Sequence, residues 1–141
     1  MSFENIMSIS GAAMDAQTAR INLAASNVAN ADTVDTTPEK AFKAKRAVFE
    51  AVLKDEIYRG KTLVSGSVKV SEIAEDSSVN PERYEPDHPL ANEDGYVFGS
   101  NVNVMTEMVD IQAASRSFES SVEASNTAKR LMMRTIEMLQ K

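Results

Sequence analysis

Met7, Met14, Ile21 and Val28 recur every seven residues along a stretch, residues 3–30, that no proline interrupts. Apolar residues at that spacing predict an amphipathic helix. Phe3, Ala24 and Ala31 occupy the companion position of this row, while Ser10 and Gln17 weaken it. Ile6, Ile9, Ala13, Ala16 and Leu23 lie off the row and are apolar too. A helix that is apolar over more than one face is expected to be covered on more than one side. Ser2 is placed to cap this helix, and Glu4 puts an acid at the positive end of its dipole. Asn27, Asn30 and Asp32 favour caps and turns, so the helix is expected to stop near Asn30.

A second heptad pattern fills residues 104–140. Val104, Ile111, Phe118, Ser125, Met132 and Leu139 form one row, and Met108, Ser115, Val122, Lys129 and Ile136 form a companion row four residues later. Asn103 is the expected N-cap. Glu107 and Asp110 near the start, with Lys129, Arg130 and Arg134 near the end, complement the helix dipole. At 1.5 Å rise such a helix is a rod of roughly 54 Å.

Between the helices the periodicity changes. Lys43 to Leu53 is ambiguous between a short helix and an extended segment. Val68 and Val70 alternate with polar neighbours, so Val68–Ile73 predicts a strand. Asn80-Pro81, Glu85-Pro86 and His88-Pro89 exclude helix from the next stretch. Asp94-Gly95 signals a turn, and Tyr96-Val97-Phe98 a second short strand. The fold class read from this pattern is mainly α: paired long N- and C-terminal helices, a coiled-coil-like hairpin, with a small β-rich, extended central insert. A two-helix hairpin does not bury every face of its helices by itself, which points to assembly with other chains.

Composition sharpens the picture by exclusion. With no Trp, 6% aromatic residues and 8 Met, the core must be built from Ala, Val, Ile and Met. The formal net charge of -6 argues against nucleic acid as a partner. Residues 40–69 carry eight Lys or Arg against three acids, and residues 71–95 carry eight acids against Arg83, so these segments are either two solvated faces or partners that pair, within a subunit or between neighbours. Lys43, Lys45 and Arg46 form a small basic cluster, read as a solvated or intersubunit face. No apolar run approaches the roughly 20 residues that span a bilayer, so no membrane insertion is expected. The N-terminus has no positive region followed by an apolar core, so a cleaved signal peptide is not expected.

Catalytic chemistry finds no constellation. There is no Cys, and His88 is the lone His, best read as a loop residue hydrogen-bonding locally. No zinc-ligand spacing, phosphate loop, nucleophile elbow or calcium loop is present. No enzyme activity, catalytic residue, metal site or cofactor is expected.

Ser10-Gly11-Ala12-Ala13-Met14-Asp15-Ala16-Gln17 and Ala25-Ser26-Asn27-Val28-Ala29-Asn30-Ala31-Asp32-Thr33 resemble the N-terminal signature of flagellar rod and hook proteins. The segments Lys45–Leu53, Tyr84–Val97, Asn101-Val102-Asn103, Glu107–Asp110 and Ala114–Glu119 resemble the proximal-rod branch of that family. Ser100 stands where that branch often has Pro. The resemblance implies an inner coiled-coil domain made from residues 1–33 and 101–141, with residues 34–100 as an extended linker and small β-rich insert. It implies a structural subunit that self-assembles into the periplasm-spanning, torque-transmitting rod of the basal body and is exported without a cleaved signal peptide. The implied partners are other rod subunits and further copies of the chain, the rod-to-ring adaptor, the rod-capping protein and the flagellar export apparatus. The rival reading is a soluble helical-hairpin adaptor or secretion chaperone. The expected assembly interface comprises Met7, Met14, Ile21, Ala24, Asn27, Val28 and Asn30 on the first helix. On the second it comprises Val104, Met108, Ile111, Phe118, Val122, Met132, Ile136 and Leu139.

Overall fold

The computed structural model describes residues 3–58 and 61–140, with side-chain environments described outside 54–65. Two helices enclose a β-rich middle: α1 (Phe3–Ala29), β1 (Val34–Asp35), β2 (Lys45–Tyr58), β3 (Lys61–Glu75), β4 (Glu82–Tyr84), β5 (Tyr96–Gly99) and α2 (Val104–Leu139). The Ser2 cap expected for α1 lies outside the described residues.

The helices form where the heptad patterns put them, and their ends are closed by asparagines. Asn103 caps α2 in an extended backbone conformation, its side chain accepting a hydrogen bond from the Thr106 N–H at 3.2 Å. Past the end of α1, the Asn30 side chain donates at 2.8 Å to the Ser26 carbonyl, which also accepts from the Asn30 N–H at 3.2 Å. α1 and α2 pair antiparallel. Asn27 meets Glu107, Arg20 meets Asp110 and Met7 meets Ser125, so the sequence runs down one helix as it runs up the other.

The expected class, mainly α, is overturned by the middle of the chain. β2 and β3 form an antiparallel hairpin of 14- and 15-residue strands, in register from Lys45 opposite Glu75 to Tyr58 opposite Lys61. The molecule is therefore α+β, two helices plus a long ribbon and a second, smaller sheet. The strand expected at Val68–Ile73 lies inside β3, and Lys43–Leu53, ambiguous in the sequence, is β2 from Lys45 onward. A register shift at Val48/Phe49 makes Ser71 the extra residue of β3, so the bulge breaks the period of two inside β3 and not in 45–53. Much of the hairpin base is exposed, including Val48, Phe49, Leu53 and Ile73. A ribbon without one buried face imposes no apolar/polar pattern.

The smaller sheet has the order β1-β5-β4, all antiparallel. β5 is the strand expected at Tyr96–Phe98, extended by one residue. Gly95, at φ 81, makes the turn expected from Asp94-Gly95, and a Cβ there would meet the Tyr84 ring at 2.9 Å. Ser100 joins this sheet to the end of α1, its N–H donating to the Thr33 carbonyl at 3.1 Å. Proline at this position would lack that donor.

Side-chain amides take over where the sheets stop. Asn80, buried, donates to the carbonyls of Phe42 and Gly99. Asn101 accepts from the Ala44 N–H at 2.7 Å and donates to Asp76 and Ser78. The buried apolar residues are Ala16, Ala24, Ala41, Ala44, Ala114 and Ala128, with Val97. Alanine at the helix contact line lets the backbones approach toward the short end of the roughly 8–10 Å interaxial range. Methionine, expected in the core, is instead largely exposed at Met105, Met108, Met132, Met133 and Met138.

Candidate assembly surface and the polar clasp beneath it

Where α1, α2 and β2 converge, the contact is polar. Glu107, one turn into α2, is only 1% exposed. Its carboxylate accepts from Asn27 Nδ2 at 3.0 Å and from Arg46 Nη2 at 3.2 Å. Asn27, fully buried on α1, also pairs with the backbone of Lys45 in both directions. Its Nδ2 donates to the Lys45 carbonyl, and its Oδ1 accepts from the Lys45 N–H, each at 2.9 Å. The amide thus makes a rung of β-ladder between a helix and the first residue of β2.

Arg46, the next residue along β2, is the hub. Beyond Glu107, it reaches Asp110 and Asp76, each at 3.5 Å. Asp110 is held from the other side by Arg20 of α1 at 2.8 Å. The Ser78 N–H, the Ser78 hydroxyl and then Arg46 together hold the Asp76 carboxyl below its ordinary value, against a smaller opposing effect of burial. The opening bounded by Arg20, Leu23, Lys45, Phe49, Glu107 and Asp110 measures about 180 Å³. Its charges face one another, and among the described residues no cluster of three or more His, Cys, Asp or Glu is placed to hold a metal. The outer groups are between 31% and 44% exposed, so their contribution is modest, whereas Glu107 is desolvated and depends on its partners.

The expected interface residues are spread over several environments. Ala24 and Asn27 are buried at the helix contact. Met14, Ile21, Val28, Asn30, Ile111, Phe118 and Val122 are half-buried. Met7 is at the margin of exposure, its sulfur accepting from the Ser125 hydroxyl at 3.2 Å. Val104, Met108, Met132, Ile136 and Leu139 are exposed. The most buried line of α2 runs through Glu107, Ala114 and Ala128, three residues after the Val104–Ile111–Phe118–Ser125 row rather than four. Close helix approach selects small side chains along the contact line and leaves large ones beside it. From Lys129 to Gln140 every residue is exposed. Opposite pairing of Met7 with Ser125 places this segment beyond the described start of α1. It carries Leu131, Met132, Met133, Ile136, Met138 and Leu139, an apolar helix end with no cover among the described residues.

Sequence reasoning missed the clasp. It read Glu107 and Asp110 as dipole partners and Lys43, Lys45 and Arg46 as one basic face. The structure divides that face: Lys45 lies 5.9 Å from the Phe42 ring, while Arg46 turns to the carboxylates. The basic and acidic segments do meet, at Arg46–Asp76. Asn27, two residues before the end of α1, reads in the sequence as a helix-ending amide. His88 binds locally, its Nδ1 accepting from the Leu90 N–H at 3.1 Å.

Comparison with known proteins places this architecture. Residues 93–138, from the Gly95 turn through most of α2, match the family model described as flagellar basal body rod FlgEFG protein C-terminal. Proteins named flagellar basal-body rod protein FlgC align along nearly the whole chain. That of Salmonella typhimurium is 39% identical over 138 residues, covering 98% of each chain. That of Escherichia coli O157:H7 is likewise 39% identical over 138 residues, covering 98% of each. That of Bacillus subtilis is 33% identical over 143 residues, covering 94% of this chain and 95% of its own. Identity at this level from α1 to the end of α2 means that the chain belongs to the FlgC family of flagellar basal-body rod proteins.

Proposed function

We propose that this chain is a structural subunit of the flagellar basal-body rod, assembling with other rod subunits and with further copies of itself into the shaft that crosses the periplasm and carries torque. The observation that carries the reading is the near full-length likeness to FlgC proteins across two very different bacteria. The uncovered apolar helix end supports it, because a subunit built for assembly leaves such a face for its neighbours. The interface expected on the helices divides accordingly. Ala24, Asn27, Ile111, Phe118 and Val122 shape the subunit, and Val104, Met108, Met132, Ile136 and Leu139 meet neighbours. The rod-to-ring adaptor, the rod-capping protein and the export apparatus are the further partners of this reading, which needs no catalytic group and no cleaved leader.

The test uses cells whose own FlgC gene is deleted, complemented with this chain. Swimming and the amount of the chain in purified basal bodies are measured. The expected result is restored motility with the chain in the basal-body fraction. A chain that stays wholly in the cytosol, bound to an export substrate, would establish the adaptor or chaperone reading instead.

A further inference from the structure

Both roots of the β2–β3 hairpin are tied at one place. Asp76, just past the end of β3, donates its N–H to the Ala44 carbonyl at 2.8 Å, and its carboxylate meets Arg46 at 3.5 Å. Asn101, ahead of α2, bridges the same two roots. Its oxygen accepts from the Ala44 N–H at 2.7 Å, and its amide donates to the Asp76 carbonyl at 3.3 Å. From α1, Asn27 binds both backbone groups of Lys45. Arg46 adds the charged tie to α2, at Glu107 and Asp110. A hairpin joined to its subunit by chain continuity alone is free to pivot about its roots. Here the roots are held from α1, from the approach to α2 and from α2 itself, so that pivot is blocked. Hydrogen bonds are directional and resist sliding, whereas apolar contact is non-directional. The planar guanidinium of Arg46 fixes an angle as well as a distance, because its donors form a rigid fork.

We infer that, in the assembled rod, Arg46 is the positioning residue of a load-bearing joint. Force that a neighbouring subunit applies to the hairpin is passed through this joint to the helices, and is not lost in a pivot at the hairpin roots. The inference rests on the proposed role as a rod subunit and adds the path by which load crosses that subunit.

The experiment uses FlgC-deleted cells complemented with the parent chain, Arg46→Gln or Arg46→Lys. Glutamine still bonds to Glu107 but is too short and uncharged to hold all three carboxylates. Two quantities are read at equal chain content in purified basal bodies. The first is swimming speed in a medium thickened with Ficoll, divided by the speed in dilute buffer, which isolates the response to load. In Arg46→Gln this ratio is expected to fall at least about threefold below the parent, and in Arg46→Lys, which keeps the charge and loses the fork, by less. The second is a local distance. The chain has no Cys, and Leu23 and Phe49 border one opening, so a short bis-maleimide is expected to join Leu23→Cys to Phe49→Cys in assembled rods. That yield is expected to fall when Arg46→Gln is added. Parental values of both quantities in Arg46→Gln overturn the inference. If Arg46→Gln is missing from basal bodies, Asp110→Asn, which removes only the outer tie, takes its place, and parental values there overturn the inference equally. A parent chain that restores no swimming rejects the rod reading itself, before any variant is compared.

Discussion

The two ends of α2 offer a contrast within one helix. Near its start, Glu107 is buried and Asp110 half-buried, each bonded to α1 and to β2. At its end, the twelve-residue segment Lys129–Gln140 is exposed throughout and rich in Leu, Met and Ile. The polar end is complete within the subunit and the apolar end is not. Burying a charge against designated partners fixes geometry, since few arrangements satisfy it. Leaving apolar side chains uncovered creates a non-directional drive toward association. The lesson is that internal order and readiness to assemble are assigned to opposite ends of the same element.

The contrast breaks most readily at the clasp. Arg46→Ala leaves Glu107 buried with only Asn27 and is expected to cost about 3 kcal/mol, read as a lower urea midpoint with an unchanged slope. An unchanged midpoint would mean that the polar end is no more constrained than the apolar one. Phe118→Asp, at a half-buried site between the two ends, is expected to cost about 2 kcal/mol, through the lost ring and the carboxylate put in its place. The neighbouring exposed Glu119→Ala should stay within about 0.5 kcal/mol in the same unfolding assay.

Acid provides a gentler probe beside the clasp, at Asp76, which Ser78 holds first and Arg46 less. Asp76 titrates below its ordinary value when folded, so it binds protons more readily when unfolded. Its contribution is therefore complete above the ordinary aspartate value and is lost as pH falls below it. Stability measured between pH 5 and pH 3 should drop less in Asp76→Asn than in the parent. An identical pH dependence would show that the Ser78 and Arg46 contacts do not hold the Asp76 carboxyl low.

The smallest effect on stability is expected at the other end. Met132→Gln combined with Ile136→Gln keeps good helix formers at exposed sites and should change unfolding by no more than about 0.5 kcal/mol. The same pair should nevertheless deplete the chain from basal bodies and reduce swimming. Normal incorporation would show that the apolar end is not a contact, and a large stability loss would show that it is covered within the subunit.

Much of this molecule is legible from residue spacing. The heptad rows located both helices, Asn103 announced the cap of α2, and Asp94-Gly95 with Tyr96–Phe98 announced a turn and a strand. The hairpin was legible only at Val68–Ile73, inside β3, because exposure around its base leaves β2 without the alternation that marks a strand. The clasp was not legible either. Asn27, Arg46 and Glu107 are far apart in the chain, and each reads locally as something ordinary: a helix-ending amide, a surface cation and an acid in a first turn.

By itself, then, the sequence determined where the helices run, that the helix ends are marked by asparagines, that no recognisable catalytic set is present, and which family signature the chain carries. These follow from local periodicity and residue chemistry, which act within a turn or two of the backbone. Only the tertiary structure decided which face of α2 meets α1, that small side chains and not methionines fill the contact, and that Asn27 serves a strand instead of a helix end. Those outcomes depend on how closely two backbones approach and on which distant groups arrive at one buried point, and neither is fixed until the elements pack.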